Sequence, residues 1–539
     1  MKNRSYPLYD VPAFSDIPAM IREKAESNPD QVIFRFRKGR EGTGTKTYRE
    51  VYADVRRLAS WVFRTRGSGR HYAVIGENCY EWLLAFFAVL ASGNVAVPVD
   101  KDLPAREIAR MLRKAEVTAA FVSNTYADQL SEAEGVETVT FRALKSLQDD
   151  RREDFAFVSP APESAACIFF TSGTSGRSKG VLLTHGNLAS DVFLAARNVD
   201  LLGGPTVAVL PFHHAFGLVS AVLDSYFLNV EIFLNRSLKH VKEDLLLARP
   251  KVLFLVPLFV EVFHRQILDG IRKGGKEKKV RIGLRCSNAL LKAGIDIRRR
   301  LFREVLDAFG GDLQLIVCGG ARLDPVYPKA FRDFGIDVLN GYGATECSPV
   351  IAVNRNHYQR DGSVGPALPG VGIRISGEGE VLIRGPIVMK EYYRDPEETA
   401  LALRDGWYAT GDLGYVDRDG FLFLTGRLKN LIILGNGENI SPEELETDFG
   451  ADPGVAAVMV CERDNSIVAE IFPQEGYLGN QAYFDTLMHK VNEGRPLYKQ
   501  VTRVILRDQD FVRNTVRKIV RCQNMPPAKP EEKQYKIGG

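Results

Sequence analysis

The sequence predicts an α/β protein: a large N-terminal domain of doubly wound sheets that includes a β-rich subdomain, followed by a small α+β C-terminal domain. Three observations carry this prediction. Short β-branched runs alternate with stretches of helical apolar spacing along the first part of the chain. The 539 residues, 45% of them hydrophobic, are more than a single core usually holds. Later segments change character to short strands among turns, and a break falls at Gly426-Arg427-Leu428-Lys429-Asn430. The expected limits are 1–426 for the N-terminal domain, with its β-rich part at about 365–426, then a link at 427–430 and a C-terminal domain at 431–523. From Asn524 the tail, rich in Pro, Lys and Glu, is expected to be disordered.

The elements follow in order. Apolar spacing predicts a helix from Ile17 to Asn28 and a strand at Val32 to Phe36. Thr47 and Glu50 form a capping-box signature for a helix reaching about Arg64. Strands are expected at Tyr72 to Ile75, Val95 to Val99 and Ala119 to Val122. The apolar stretch from Trp82 to Val99 approaches membrane-spanning length, but Ser92, Gly93, Asn94 and Pro98 interrupt it, so it reads as a buried helix, a turn and a buried strand. Val207 to Gly217 reads as a buried strand ending in His213-His214. Ser441 is placed to cap a helix that has Pro442 at its first position.

Composition excludes several classes. A net charge of +4, with both signs interspersed, gives no global field for nucleic acid. Seven scattered cysteines without a C-x-x-C pair fit a reducing cytosol and neither a disulfide framework nor a zinc site. The N-terminal residues do not read as a signal peptide, so the expected location is cytoplasmic. One region is locally basic, from Arg272 to Arg303; it reads either as a solvated helix face or as an attraction to an anionic membrane surface or to the phosphates of a ligand.

The chemistry concentrates in a few motifs. Between Cys167 and Leu183 an apolar strand gives way to Thr171-Ser172-Gly173-Thr174-Ser175-Gly176-Arg177-Ser178-Lys179-Gly180 and then resumes as a second strand. Glycines turn backbone N–H groups toward an anion without Cβ obstruction, hydroxyls add donors, and lysine adds a compact positive charge. The loop suits a phosphate. It is not a Walker loop, because Arg177 follows Gly176. Two further Gly-rich turns, Gly319-Gly320-Ala321 and Gly341-Tyr342-Gly343-Ala344-Thr345-Glu346, each follow an apolar strand, as expected for adjacent parallel strands whose carboxyl ends bind a ligand.

Together with Gly406-Trp407-Tyr408-Ala409-Thr410-Gly411-Asp412, Gly426-Arg427 and Asn514-Thr515-Val516-Arg517-Lys518-Ile519, these motifs resemble, in order and over nearly the whole chain, the AMP-forming adenylate-forming superfamily. Val256-Pro257 and the Gly-Tyr-Gly-Ala-Thr-Glu-Cys-Ser-Pro run look most like long-chain fatty acyl-CoA synthetases. The resemblance implies two half-reactions. A carboxylate attacks the α-phosphorus of Mg-ATP, giving acyl-adenylate and pyrophosphate, and a thiol, usually coenzyme A, then takes the acyl group and releases AMP.

The resemblance also implies roles. Thr171 and Glu346 would hold Mg²⁺, and Tyr342 would lie on adenine against Gly319-Gly320-Ala321. Thr345 would donate to the α-phosphate, Asp412 would accept both ribose hydroxyls, and Arg427 would add a ribose or phosphate contact. Lys518, preferred over Arg517 and Arg521 by spacing, would bridge carboxylate and α-phosphate. His214, Val256, Pro257 and Gly343 would border the acyl pocket. A mobile C-terminal domain would turn about Lys429 and bring Gly435, Gly437 and Glu438 to the coenzyme A side. Two departures stand out: Ser178 replaces the usual proline before the lysine, and Val516-Arg517 stands where many members have a residue and glycine. The short Glu462-Arg463-Asp464-Asn465 connection keeps open a fatty acyl-AMP ligase loading an acyl carrier protein; a catalytically silent lipid- or nucleotide-binding relative is the third reading.

Overall fold

The computed structural model describes residues 6–38, 42–147, 155–171, 178–433, 439–463, 466–513, 519 and 521–524. The chain forms two compact units, one of residues 1–410 with 414–424, the other of residues 411–413 with 425–539. Residues 427–430, read from the sequence as the link, fall inside the second unit.

In the first unit an eight-stranded sheet has the order Val350–Val353, Asp337–Gly343, Leu315–Cys318, Val252–Leu255, Thr206–Ala208, Ile232–Leu234, Val32–Lys38, Gly42–Thr47. Its inner strands run parallel and the strand at each edge is antiparallel. A seven-stranded sheet has the order Glu391–Tyr392, Lys179–Thr184, Ala165–Thr171, Val95–Val99, His71–Ile75, Val117–Val122, Glu137–Thr140. Alternate residues of this second sheet serve two cores: Tyr72, Val74, Phe121 and Phe169 join the main one, while Ala73, Ile75, Val122 and Ile168 pack with Ile108 and Leu112. Burial on both faces is why these strands read as unbroken apolar runs.

The helix Tyr80–Ala91 lies in the main core with every residue except Glu81 buried. An all-round apolar helix needs such a place, and among the described residues no helix is long and apolar enough to cross a membrane. Thr47 and Glu50 exchange the two capping-box bonds that open helix Tyr48–Arg66.

Two local expectations are corrected. Of the Val207 to Gly217 segment only Val207 and Ala208 are strand, at the end of Thr206–Ala208. Beyond it the Asn78 side chain pairs with the Ala208 and Leu210 carbonyls and the Phe212 N–H, and the chain folds back so tightly that a Cβ on Gly217 would stand 2.2 Å from the Pro211 carbonyl oxygen. A wide-turn helix, Phe216–Asp224, follows. Ser441 does precede helix Pro442–Gly450, but its hydroxyl donates to the Thr425 carbonyl at 2.8 Å and caps no helix N–H.

The second unit pairs Val455–Arg463 antiparallel with Ser466–Pro473, which pairs parallel with Arg503–Leu506. Phe449, Val460, Ile471 and Phe484 fill the core between this sheet and helices Pro442–Gly450 and Gln481–Asn492. Asn524, expected to begin a disordered tail, is instead buried and pairs with both backbone groups of Val512. Residues 525–539 lie outside the described residues.

Candidate active site

Leu315–Cys318 and Asp337–Gly343 are adjacent and parallel, with Cys318 opposite Asn340, and Gly319-Gly320-Ala321 turns away at the carboxyl end of the first. The second Gly-rich segment is corrected: Gly341-Tyr342-Gly343 remains in its strand, paired antiparallel with Val350–Val353, and the chain turns only after it, at Thr345–Cys347. Gly320, Ala321 and Gly343 are exposed although the strands behind them are buried. Steric demand explains Gly343, where a Cβ would stand 2.1 Å from the Pro349 carbonyl oxygen. At the turn after Leu315–Cys318, Gly320 has φ +85°, and Cβ atoms added at Gly319 and Gly320 would meet the Phe216 ring at 3.2 Å and Val256 at 3.3 Å. Val256 and Phe216 therefore border that turn, and Pro257 opens the helix Pro257–Lys273 beside it. Tyr342 is buried and belongs to the main core.

The loop's base is set by a hairpin in which Thr171 pairs with Lys179. Ser172, Gly173, Thr174, Ser175 and Gly176 lie outside the described residues. Lys179 Nζ stands 2.5 Å from Glu398 Oε2 and 4.7 Å from the Tyr392 ring centroid. Tyr392 sits on the strand paired with Lys179–Thr184, opposite Val181, and its Oη donates to Glu346 Oε1 at 2.8 Å. One aromatic side chain thus joins the loop's lysine to the carboxylate of the Thr345–Cys347 turn. Burial first, then the Glu346 charge, pushes the Tyr392 phenol up, so it remains a hydrogen-bond donor. The neighbouring Tyr408 phenol is raised by the same causes.

Glu346 Oε2 has no hydrogen-bond partner among the described residues. A carboxylate with one oxygen oriented and the other open suits a hard cation. Among the described residues no three His, Cys, Asp or Glu side chains cluster as a metal cage. Such a site fits Mg²⁺ carried mostly by substrate phosphates and waters, with few protein ligands.

The His213 and His214 rings lie against each other with centroids 4.3 Å apart and planes tilted by 47°. His213 Nε2 lies 3.5 Å from Asp100 Oδ2 without a hydrogen bond, and burial, reinforced by the Lys101 charge, pushes its imidazole down to about 3. It is a neutral, structural histidine. His214 is partly buried beside it, and its backbone N–H donates to the Pro211 carbonyl.

Within the second unit Arg427 Nε contacts Asp412 Oδ1 at 2.7 Å, the carboxylate buried and the guanidinium half-exposed. Lys429 sits in a short 3-10 turn, Leu428–Asn430, that Asn430 ties to Glu443 at 2.5 Å. Arg521 donates to the Val460 carbonyl and pairs with Glu446, so it is committed to structure. Lys518, Arg517, Gly435, Gly437 and Glu438 lie outside the described residues.

The sequence alone assigns no role to Tyr392, Glu398, Tyr408 or Phe216. For Tyr392 the local signal is the aromatic pair Tyr392-Tyr393, which carries no chemistry until the sheet brings it to Lys179.

Residues 21–393 match the model of the family described as AMP-binding enzyme. The chain belongs to that family. This AMP-binding enzyme is 29% identical over 496 residues to the long-chain-fatty-acid–CoA ligase FadD15 of Mycobacterium bovis, covering 85% of this chain and 82% of that one. It is 29% identical over 448 residues to human long-chain-fatty-acid–CoA ligase 1, covering 72% and 63%. Among solved structures, ATP-bound MatB from Rhodopseudomonas palustris superposes with a TM-score of 0.77 at 25% identity, covering 94% of this chain and 98% of that one. The superfamily resemblance and the α/β fold expected from the motif order are borne out by these matches.

Proposed function

We propose that this AMP-binding enzyme is an AMP-forming acyl-CoA synthetase, joining a medium-to-long-chain fatty acid to ATP as an acyl-adenylate and then transferring the acyl group to coenzyme A. The observation that carries this reading is the Lys179–Tyr392–Glu346 connection beside the Gly341–Gly343 strand end, in a chain whose relatives are fatty-acid–CoA ligases.

Each side chain has a role in the first half-reaction. Glu346 and Thr171 would hold Mg²⁺, which would neutralise charge that builds on the pyrophosphate leaving group. Tyr392 keeps the Glu346 carboxylate oriented. Lys179 meets the phosphates, Thr345 donates to the α-phosphate, Tyr342 and Gly319-Gly320-Ala321 take adenine, and Asp412 with Arg427 takes ribose. Lys518 bridges the two anions that must react. His214, Val256, Pro257 and Gly343 border the acyl chain. A substrate of this class partitions into membranes, and the cationic 272–303 region supports peripheral contact of a cytoplasmic enzyme with the inner membrane surface.

The pairing of Lys179 with Glu398 supplies one prediction. Glu398 competes with the triphosphate for Lys179 Nζ, so Glu398→Gln should lower the KM for ATP about threefold, the scale of a partly exposed ion pair, with kcat little changed. An unchanged KM would remove Lys179 from the phosphate site.

A second reading, an acyl-AMP ligase loading an acyl carrier protein, is favoured by one observation: Arg463 pairs directly with Ser466, leaving a very short connection at the edge of the second unit's sheet. The two are separated by measuring AMP and thioester formation from palmitate, ATP and Mg²⁺ with coenzyme A or holo carrier protein. Stoichiometric palmitoyl-CoA is the expected result. Adenylate that transfers only to the carrier would replace the reading, and no adenylate from any fatty acid would reduce the protein to a silent relative.

A further inference from the structure

We propose that Lys114 is a positioning residue for ATP: by holding the Ser178 carbonyl it fixes the peptide group that leads into Lys179, and so aims Lys179 at the phosphates. The inference deepens the function proposed above and rests on it for the meeting of Lys179 with the triphosphate. Lys114 is the last residue of helix Ala105–Lys114, where a cation ordinarily does no more than complement the helix dipole from solvent. Here its Nζ donates to the Ser178 carbonyl at 3.1 Å and stands 3.9 Å from Asp395 Oδ2, and the side chain is only 31% exposed. A peptide group is planar, so a fixed carbonyl also fixes the N–H on its other side. That N–H belongs to Lys179.

The neighbouring residues explain how Lys114 reaches this carbonyl. Glu116 has φ +51°, the left-handed conformation that follows a helix end and ordinarily falls to glycine. Its carboxylate accounts for a longer side chain there, since Oε2 accepts from Tyr393 Oη at 2.5 Å and Oε1 pairs with Arg394 at 2.7 Å. Arg394 is left-handed too, with φ +53°. Such backbone carries a cost and persists where surrounding contacts over-determine it. The contacts dock the 393–395 segment on the helix end and bring Asp395 to Lys114.

From there the contacts close a ring around Lys179. Asp395 Oδ1 accepts the Glu398 N–H at 3.3 Å, and Glu398 holds Lys179 Nζ. Tyr393 N–H donates to the Gly180 carbonyl at 2.7 Å, so the main chain is tied on both sides of Lys179, by Lys114 before it and by Tyr393 after it. A triphosphate that takes Nζ from Glu398 breaks the side-chain arm of the ring. The two main-chain ties do not depend on that arm, and they keep Lys179 directed while its ammonium changes partner.

The test is calorimetric binding of MgATP to the full chain without any acid, which separates this contact from turnover. Lys114→Met should weaken binding about tenfold, the scale of a lost hydrogen bond from a charged donor, and Lys114→Arg should recover most of it. Lys179→Met should weaken binding more. Adding Lys114→Met to that variant should then cost less than about twofold, because a residue acting through Lys179 has nothing left to act on. In turnover, the KM for ATP should rise in Lys114→Met while the KM for the fatty acid stays at the parent value. Thermal unfolding of Lys114→Met should match the parent, as expected for a partly exposed contact. Unchanged MgATP binding in Lys114→Met overturns the proposal. Losses that add in the double variant overturn it too, by placing Lys114 on the phosphates directly. So does a loss that follows a lowered melting temperature and is not restored by Lys114→Arg. If Lys179→Met binds MgATP as the parent does, the phosphate role of Lys179 falls and this inference with it; if only Lys114→Met is unimpaired, this inference falls alone.

Discussion

Lys518→Ala should reduce adenylate formation by about a thousandfold or more, while thioester formation from preformed acyl-adenylate stays within a few-fold of the parent. Two anions, the fatty carboxylate and the α-phosphate, must be brought into line in the first half-reaction. A lysine ammonium between them offsets their repulsion and fixes the angle of approach, an effect of several kcal/mol where water is excluded. In the second half-reaction a thiol attacks a neutral acyl carbon and that need disappears. Arg521 cannot replace the lost charge, because it is engaged with Glu446 and the Val460 carbonyl. Lys518→Arg should recover little, since a planar fork does not reproduce a compact point charge. Single-turnover assays of each half-reaction decide the matter: equal loss in both would sink this division of labour.

Glu346→Gln should cost about a hundredfold to a thousandfold in adenylate formation at ordinary Mg²⁺, with partial recovery as Mg²⁺ is raised. The amide keeps the shape and can still accept from Tyr392, but it loses the charge that would hold a hard cation. Tyr392→Phe provides the comparison. It removes the 2.8 Å bond to Glu346 and leaves the carboxylate charged, so its loss should stay below roughly tenfold. Were the two variants equally impaired, with neither rescued by Mg²⁺, Glu346 would serve the fold and hold no metal.

The two predictions differ in where they come from. Lys518 is placed by motif and spacing alone, and the adjacent departure at Val516-Arg517 makes the half-reaction assay its proper check. Glu346 is placed twice, once by the Gly-Tyr-Gly-Ala-Thr-Glu run and again by the contact that Tyr392 makes with it. The His213-His214 pair illustrates the opposite outcome. The resemblance marks His214 alone as a pocket candidate, and burial, reinforced by the Lys101 charge, leaves His213 neutral and structural.

What the sequence determined by itself is whatever depends on near neighbours. Alternating apolar runs specified parallel strands with intervening helices, and the glycines behind Leu315–Cys318 announced a turn, whereas Gly341 and Gly343 proved to be part of the neighbouring strand. Thr47 and Glu50, three residues apart, announced their capping box. Only the tertiary structure decided the contacts between residues far apart in the chain. Glu398 reaches Lys179 across 219 positions, and Tyr392 reaches Glu346 across 46. Nothing periodic links such residues; strand order and register bring them together. The same holds for the basic region, where charge is legible in the chain, but which cations are tied to backbone carbonyls and acids and which face outward depends on the packing of Ser287, Val280 and Leu284 against the core.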